Sequence, residues 1–316
     1  MLELLVSDKQ QVAADIFAFT LSAVDGQVLP DAEPGANLPI QVTLPDGQLA
    51  WREYSLVARA IGATTYQIAV LRVADGRGGS LWMHQLEIGQ PVSAKAPVNA
   101  FTLVPQAKEY LLIAGGIGIT PLLSMARHLH QQHARFQIHY AARSTQAMAF
   151  ADEVRAFGSS AYLYQDDQVS MRTALPQLLD SYSAGRHLYV CGPQSLISAV
   201  VAMAGAQGWP SEAVHYELFQ GALVLNSDKP FELVLEQSGI KLTVGSDQTI
   251  LEAMIAAGVE PLYDCARGEC GMCTTTVLKG TPDHRDHYLS AREQEKGDQI
   301  CLCVSRARSA SLTIEA

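Results

Sequence analysis

The stretch "DCARGECGMCTTTVL", Asp264 to Leu278, sets Cys265, Cys270 and Cys273 within nine residues of a 316-residue chain that has only six cysteines. A disulfide scaffold does not fit, because such scaffolds belong to short secreted chains dense in cysteine. The thiols are therefore expected to be reduced. Their C-x4-C-x2-C spacing is that of a plant-type [2Fe-2S] loop, where three thiolates and inward-turned N–H groups converge on one compact cluster. Gly268 and Gly271 suit such a loop. Four cysteines also bind zinc, but zinc knuckles come as paired C-x2-C motifs and only one occurs here. A fourth thiolate is needed, and "QICLCVSRA" offers both Cys301 and Cys303. Spacing leaves both open, since residues two apart on a strand share a face.

Working outward, "TILEAMIAAG" from Thr249 has the periodicity of an amphipathic helix, and "CTTTVLKG" and "SLTIEA" read as strands. These elements predict a small α+β domain of β-grasp ferredoxin shape. Upstream, "QGALVLNSDKP" from Gln220 reads as a linker whose polar, turn-forming end precedes a fresh strand, "FELVLEQ".

Between Tyr110 and Glu217 strands alternate with helical stretches. "YLLIA", "FQIHYAA", "AYLYQ", "HLYVC" and "AVHYE" are the expected strands, with segments such as "TPLLSMARHLHQQ" between them, and this alternation specifies a parallel α/β sheet. In "YLLIAGGIGITPLLSM" a strand runs into Gly115, Gly116 and Gly118, with Thr120 and Pro121 expected as N-cap and first helical residue. Glycines crowding a helix start form a phosphate site, because bare N–H groups face the anion and no Cβ blocks its approach. "YVCGPQSL" from Tyr189 repeats strand, Gly-Pro turn and helix, so two strand ends are expected to line one crevice. Cys191 there reads either as a small core residue or as a neighbour of a bound nicotinamide.

From Leu2 to about Val104 the runs are short and alternating, as in "YQIAVLRVA" from Tyr66, and are separated by Gly, Pro and Asp turns. That is the pattern of an antiparallel barrel or sandwich, with little helical signal. "WREYSLV" spaces a cation, a ring and a hydroxyl (Arg52, Tyr54, Ser55) along one strand. "DGRGGSLWMH" (Arg77, Gly78, Gly79, Ser80) resembles an anion-binding turn. Taken singly, Tyr54 is an ordinary strand aromatic and Arg77 a solvated turn cation.

A formal charge of −10 with no basic run argues against nucleic acid. The longest apolar stretches are broken by Gly and Pro, so they read as βα units rather than membrane spans. The N-terminus lacks a basic stretch leading into an apolar core, so no signal peptide is expected and the cytoplasm is the expected location.

"REYS", "GRGGS", "GGIGITP", "CGP", "ELF" (Glu217 to Phe219) and "CARGECGMC…CVSRA" follow one another here. In that order they resemble the phthalate dioxygenase reductase family, the FMN and [2Fe-2S] reductases of Rieske-type oxygenases, over nearly the whole chain. The resemblance implies an FMN-binding β-barrel at 1–104, a Rossmann-like NAD-binding α/β domain at 105–225 and a ferredoxin domain at 226–316. It puts Arg52, Tyr54 and Ser55 at the flavin ring, Arg77, Gly79 and Ser80 near the FMN phosphate, and Thr120 within reach of the flavin. Gly115, Gly116 and Gly118 would approach the NADH pyrophosphate, and Cys191, Gly192 and Pro193 the nicotinamide. Phe219 would cover the flavin with Glu217 nearby. Arg143 and Ser144, in "YAARS", would meet the adenosine ribose, and an arginine there also suits a 2′-phosphate. The family places its fourth ligand directly before Val-Ser-Arg-Ala, which implies Cys265, Cys270, Cys273 and Cys303 as the set and leaves Cys301 as a nearby thiol. "DHRDHYLS" from Asp283 reads as a structural turn and helix cap.

The implied activity is transfer of electrons from NADH through FMN and the cluster to a terminal oxygenase, either an aromatic-ring dioxygenase or a demethylating monooxygenase. A pyridine nucleotide yields two electrons together, a [2Fe-2S] cluster takes one, and a flavin manages both, so one chain has reason to carry all three. Two other readings are a stand-alone NADH dehydrogenase or diaphorase and a zinc-bearing interaction protein. From Asn226 onward 14 acidic residues face 9 basic ones, an excess that either steers toward a basic oxygenase patch or simply aids solubility.

Overall fold

The computed structural model describes residues 1–58, 62–74, 76, 78–165, 170–180, 182–219, 225, 227–263, 266–268, 270–286 and 288–316. The chain forms two compact units, Met1–Glu217 and Leu218–Ala316.

In the first unit β1 (Leu2–Ala13), β2 (Ile16–Ala23), β3 (Asn37–Thr43), β4 (Leu49–Ala58), β5 (Thr65–Leu71) and β6 (Pro91–Ala94) close a barrel in the order β1-β2-β5-β4-β3-β6. Of the two expected shapes, barrel and sandwich, it is the barrel that forms. Alternation explains it: Leu4, Val6, Phe19, Leu21, Leu38, Ile40, Leu56 and Ile68 all turn inward and are essentially inaccessible. The barrel also holds a helix that the sequence did not announce, α1 (Gly79–Gln85), whose Met83 is buried in the same core. Its start falls in the expected anion turn.

The rest of this unit is a five-stranded parallel sheet of β7 (Glu109–Gly115), β8 (Phe136–Ala142), β9 (Ala161–Gln165), β10 (Arg186–Cys191) and β11 (Val214–Glu217). All five expected strands are present to within a residue or two. The helices between them are α2 (Ile119–Gln131), α3 (Ala151–Arg155), α4 (Leu175–Leu179) and α5 (Gln194–Ala206). The central β7 is a continuous apolar run, as a strand covered on both faces should be, and Leu111, Leu112 and Ile113 have no accessible surface. Truncating one of them to alanine would cost about 2–5 kcal/mol. In the order β11-β10-β7-β8-β9 the chain leaves β7 toward β8 and β9, then returns to the other side of β7 as β10. In open α/β sheets such a reversal leaves a crevice at the carboxyl ends of the strands on either side, here β7 and β10, and ligands bind in crevices of this kind.

In the second unit β12 (Phe231–Leu235), β13 (Ile240–Val244), β14 (Thr274–Lys279), β16 (Gln299–Cys301) and β18 (Ser311–Ile314) form one sheet, ordered β13-β12-β18-β14-β16. A two-stranded ladder joins β15 (Pro282–Asp283) to β17 (Arg306–Ala307). Helix α6 (Ile250–Ala256) starts at a capping box in which Thr249 and Glu252 satisfy each other's backbone N–H. Ser290 and Glu293 repeat the device at α7 (Ala291–Lys296), so "DHRDHYLS" does end in a helix cap. Asp228, in the expected linker, accepts two hydrogen bonds from Arg285 at 2.8 and 2.5 Å, which anchors the end of that segment on the second unit. No helix among the described residues is long and apolar enough to cross a membrane.

Candidate functional site

The crevice is closed by glycine. A Cβ on Gly118 would lie 2.3 Å from the Cys191 carbonyl oxygen, and one on Gly115 would lie 2.7 Å from Pro193 and Leu196. A Cβ on Gly192 would likewise lie 2.9 Å from the Gly115 backbone. These three glycines let the two strand ends interlock, so the space their side chains would fill is already occupied by protein. Gly116 differs, with a left-handed φ of 52° and nothing within 4 Å of its missing Cβ, and it leaves backbone open to an incoming anion. The helix start is two residues earlier than expected. Gly118 is the N-cap of α2, while Thr120 lies inside the first turn with its hydroxyl donating to the Ile117 carbonyl at 2.9 Å. A short 3-10 turn at 116–118 runs straight into the helix, leaving the threonine no capping position.

Cys191 ends β10 with no accessible surface, and its thiol lies 3.9 Å from a carboxylate oxygen of Glu217, its register partner on β11. Burial, and then the neighbouring carboxylate, push that thiol well above the ordinary range, so it stays protonated.

On the barrel side the Arg52 stem lies against Gly79, which has no Cβ to keep it away; one would sit 2.8 Å from Arg52 Cγ. Tyr54 packs on the barrel core and burial raises its phenol. Ser55 is buried, and its hydroxyl has no hydrogen-bond partner. A buried, unpaired hydroxyl on this strand fits a site that a polar ligand edge completes. Ser80, in the first turn of α1, accepts the Val73 N–H with its own hydroxyl at 3.1 Å. Arg143 is exposed and Ser144 half-buried just past β8. Arg77 lies outside the described residues.

The cluster loop belongs to the second unit. Ala266, Gly268 and Gly271 take positive φ, and Gly268 packs against Val304 and Asp286 where a Cβ would intrude. Cys273 is buried beneath it. Hydrogen bonds from the Cys301 and Cys303 thiols hold Cys273 far below the usual thiol range, and the same contact, with burial, pushes Cys301 upward. Cys270 is exposed, and Cys265 lies outside the described residues. No three ligating side chains among the described residues converge as a cage for one metal ion. A two-iron cluster takes its thiolates in pairs, and this donor set, all sulfur, suits iron-sulfur chemistry. Strand β16 ends at Cys301 and residues 302–304 form a turn, so strand alternation does not relate Cys301 to Cys303.

Sequence reasoning missed the residues that support these sites. Arg127 on α2 donates to the Val57 carbonyl at 2.7 Å, tying the α/β layer to β4 of the barrel. Ser305 donates to Asp286 at 3.0 Å and accepts the Arg285 N–H, while Asp286 accepts the Leu289 N–H, which braces the ground under Gly268. His139 is buried on β8, stacked 4.5 Å from the Tyr162 ring and bonded to the Tyr164 hydroxyl. Only "DHRDHYLS", read as a structural turn, gave a signal for any of them.

Two family models match: "Dimethylamine monooxygenase subunit DmmA-like, N-terminal domain" over residues 90–214, and "2Fe-2S iron-sulfur cluster binding domain" over residues 233–308. Vanillate O-demethylase oxidoreductase of Pseudomonas sp. strain HR199 is 38% identical, with 100% of each chain covered. Phthalate dioxygenase reductase of Burkholderia cepacia is also 38% identical, over 99% of this chain and 97% of that one. A solved structure described as phthalate dioxygenase reductase, a modular structure for electron transfer from pyridine nucleotides to [2Fe-2S], superposes with a TM-score of 0.67 at 37% identity, covering 100% of this chain and 98% of that one. With glycines crowded at the β7–β10 crevice, a cysteine loop on a second unit and this agreement along its full length, the chain belongs to the phthalate dioxygenase reductase family.

Proposed function

We propose that the chain is the reductase component of a Rieske-type oxygenase system, an aromatic-ring dioxygenase or a demethylating monooxygenase, and that it works in the cytoplasm. It takes electrons from NADH and passes them through FMN and a [2Fe-2S] cluster to the oxygenase. The observation that carries this reading is the presence, in one chain matched end to end by such reductases, of a nucleotide crevice and a cluster loop.

Residues 1–104 serve as the FMN domain, 105–225 as the NAD domain and 226–316 as the ferredoxin domain. FMN supplies the means to accept electrons in a pair and release them singly. The protein's part is position and electrostatics. Gly116 presents its backbone N–H to the NADH pyrophosphate, with Gly115 and Gly118 shaping the crevice around it. Cys191, Gly192 and Pro193 border the nicotinamide, and Glu217 and Phe219 lie next to the flavin. Arg52, Tyr54, Ser55 and Thr120 hold the flavin, Arg77, Gly79 and Ser80 its phosphate, and Arg143 and Ser144 the adenosine ribose. Cys265, Cys270, Cys273 and Cys303 hold the cluster.

The test is an absorption spectrum of the purified protein. Flavin and iron-sulfur bands should both appear and both bleach on adding NADH; absence of either band refutes the reading. Heat-released flavin should migrate as FMN, and stoichiometric FAD would count against the assignment. NADH should be preferred over NADPH by kcat/KM, and the reverse would make Arg143 a 2′-phosphate ligand. Reconstitution with a Rieske oxygenase separates an oxygenase reductase from a stand-alone diaphorase.

A further inference from the structure

Asn37 on β3 faces Ser55 on β4 as its direct register partner, so the two side chains leave the same face of the barrel wall. It is the outer face, since Leu38 and Leu56, next in sequence to each, point into the barrel core. Outer positions are normally wet, yet Asn37 and Ser55 are each only 5% exposed. The Asn37 backbone is fully used: its N–H donates to the Val98 carbonyl at 2.8 Å, and its carbonyl accepts the Val98 N–H at 3.0 Å. The side chains are not satisfied. Asn37 Oδ1 and Ser55 Oγ have no hydrogen-bond partner, each other included.

Two buried polar groups side by side without partners are a costly arrangement, and nothing in the barrel calls for polarity at either place. A ligand edge that carries both donors and acceptors would satisfy them together. The pyrimidine end of a flavin is such an edge, with an N3–H donor between two carbonyl oxygens and the N5 acceptor nearby. A carboxamide offers one donor end and one acceptor end whichever way it is turned, and a hydroxyl can do either. Resting on the FMN assignment above, we propose that Asn37 is a flavin-binding residue that pairs with Ser55 to receive the polar edge of the ring.

The test titrates FMN into the full-length apoprotein, following loss of flavin fluorescence, and melts the same protein with and without FMN. Asn37→Ala should raise the FMN Kd about three- to tenfold, the worth of one hydrogen bond. Its apoprotein should melt no lower than wild type, because an unsatisfied group has been removed. Ser55→Ala should behave alike, and both variants should shift the bound flavin's absorption maximum. An unchanged Kd in Asn37→Ala overturns the proposal and leaves the pair to a bound water. So does a fall in apoprotein melting that accounts for the whole loss of affinity. If the unmutated apoprotein binds no FMN, the FMN assignment itself has failed, and that failure shows before any substitution is made.

Discussion

The Cys191 thiol lies 3.9 Å from a Glu217 carboxylate oxygen because the two residues are register partners at the carboxyl ends of β10 and β11. Burial keeps the thiol protonated, so it is a poor nucleophile despite its place at the carboxyl end of a sheet strand. Iodoacetamide at pH 8.5 should therefore label Cys191 only after unfolding, as read by peptide mass mapping. Cys191→Ala should retain FMN while NADH-dependent dye reduction falls about tenfold or more, the cost of losing a group that orders the reactants.

The crevice glycines should separate into two classes. Gly118→Ala drives a methyl group into the Cys191 carbonyl, and overpacking of that kind costs about 1–3 kcal/mol in denaturant unfolding. Gly116→Ala meets no neighbour and carries only left-handed strain, about 1 kcal/mol. It should instead raise KM for NADH about tenfold by crowding one charge-assisted hydrogen bond to phosphate. Equal effects of the two substitutions on stability and on KM would contradict this division.

His139 should make the fold acid-sensitive. Burial, helped by the Arg186 charge, lowers its pKa from 6.5 to about 4. Between those values the unfolded chain binds a proton that the folded chain refuses, so stability drops as pH falls through this window. The loss from this group is about 2 kcal/mol by pH 5 and approaches about 3 kcal/mol below pH 4. His139→Phe keeps a ring on Tyr162 and removes the titration. Urea midpoints at pH 7.5 and pH 5 should then differ less in the variant than in wild type.

Cys301 and Cys303 both reach Cys273, so proximity alone does not select the fourth ligand. Cys301 also shares a 3.4 Å hydrogen bond with Thr274, its strand partner, whereas Cys303 sits in the turn beyond β16. Cys303→Ser should lose or badly destabilise the cluster yet keep FMN, still reducing a two-electron dye with NADH while failing to supply a one-electron partner. Cys301→Ser should keep its iron and visible absorbance. Iron lost from the Cys301 variant and retained in the Cys303 variant would reverse the assignment.

The sequence by itself determined the order of fold types along the chain (antiparallel strands, then a parallel α/β sheet, then a small α+β unit), the parallel strands almost to the residue, the α6 helix and the spacing of the cysteine loop. Each is written in local chemistry: hydrophobic period, turn residues, or ligand spacing along a single loop. Local chemistry also misled where neighbours compete for one role. Thr120 looks like a helix cap, but the 3-10 turn at 116–118 already begins the helix and draws its hydroxyl back to Ile117. The string "GGIG" reads as one phosphate turn, yet only Gly116 is open, because Gly115 and Gly118 are filled by a loop some 75 residues further on. Asn37 carries no motif at all. Its buried, unpaired amide oxygen arises only when β3 and β4 are laid side by side, and His139 loses its ordinary basicity only once β8 is covered. Burial and pairing between distant segments are properties of the packed chain, so only the tertiary structure decided them.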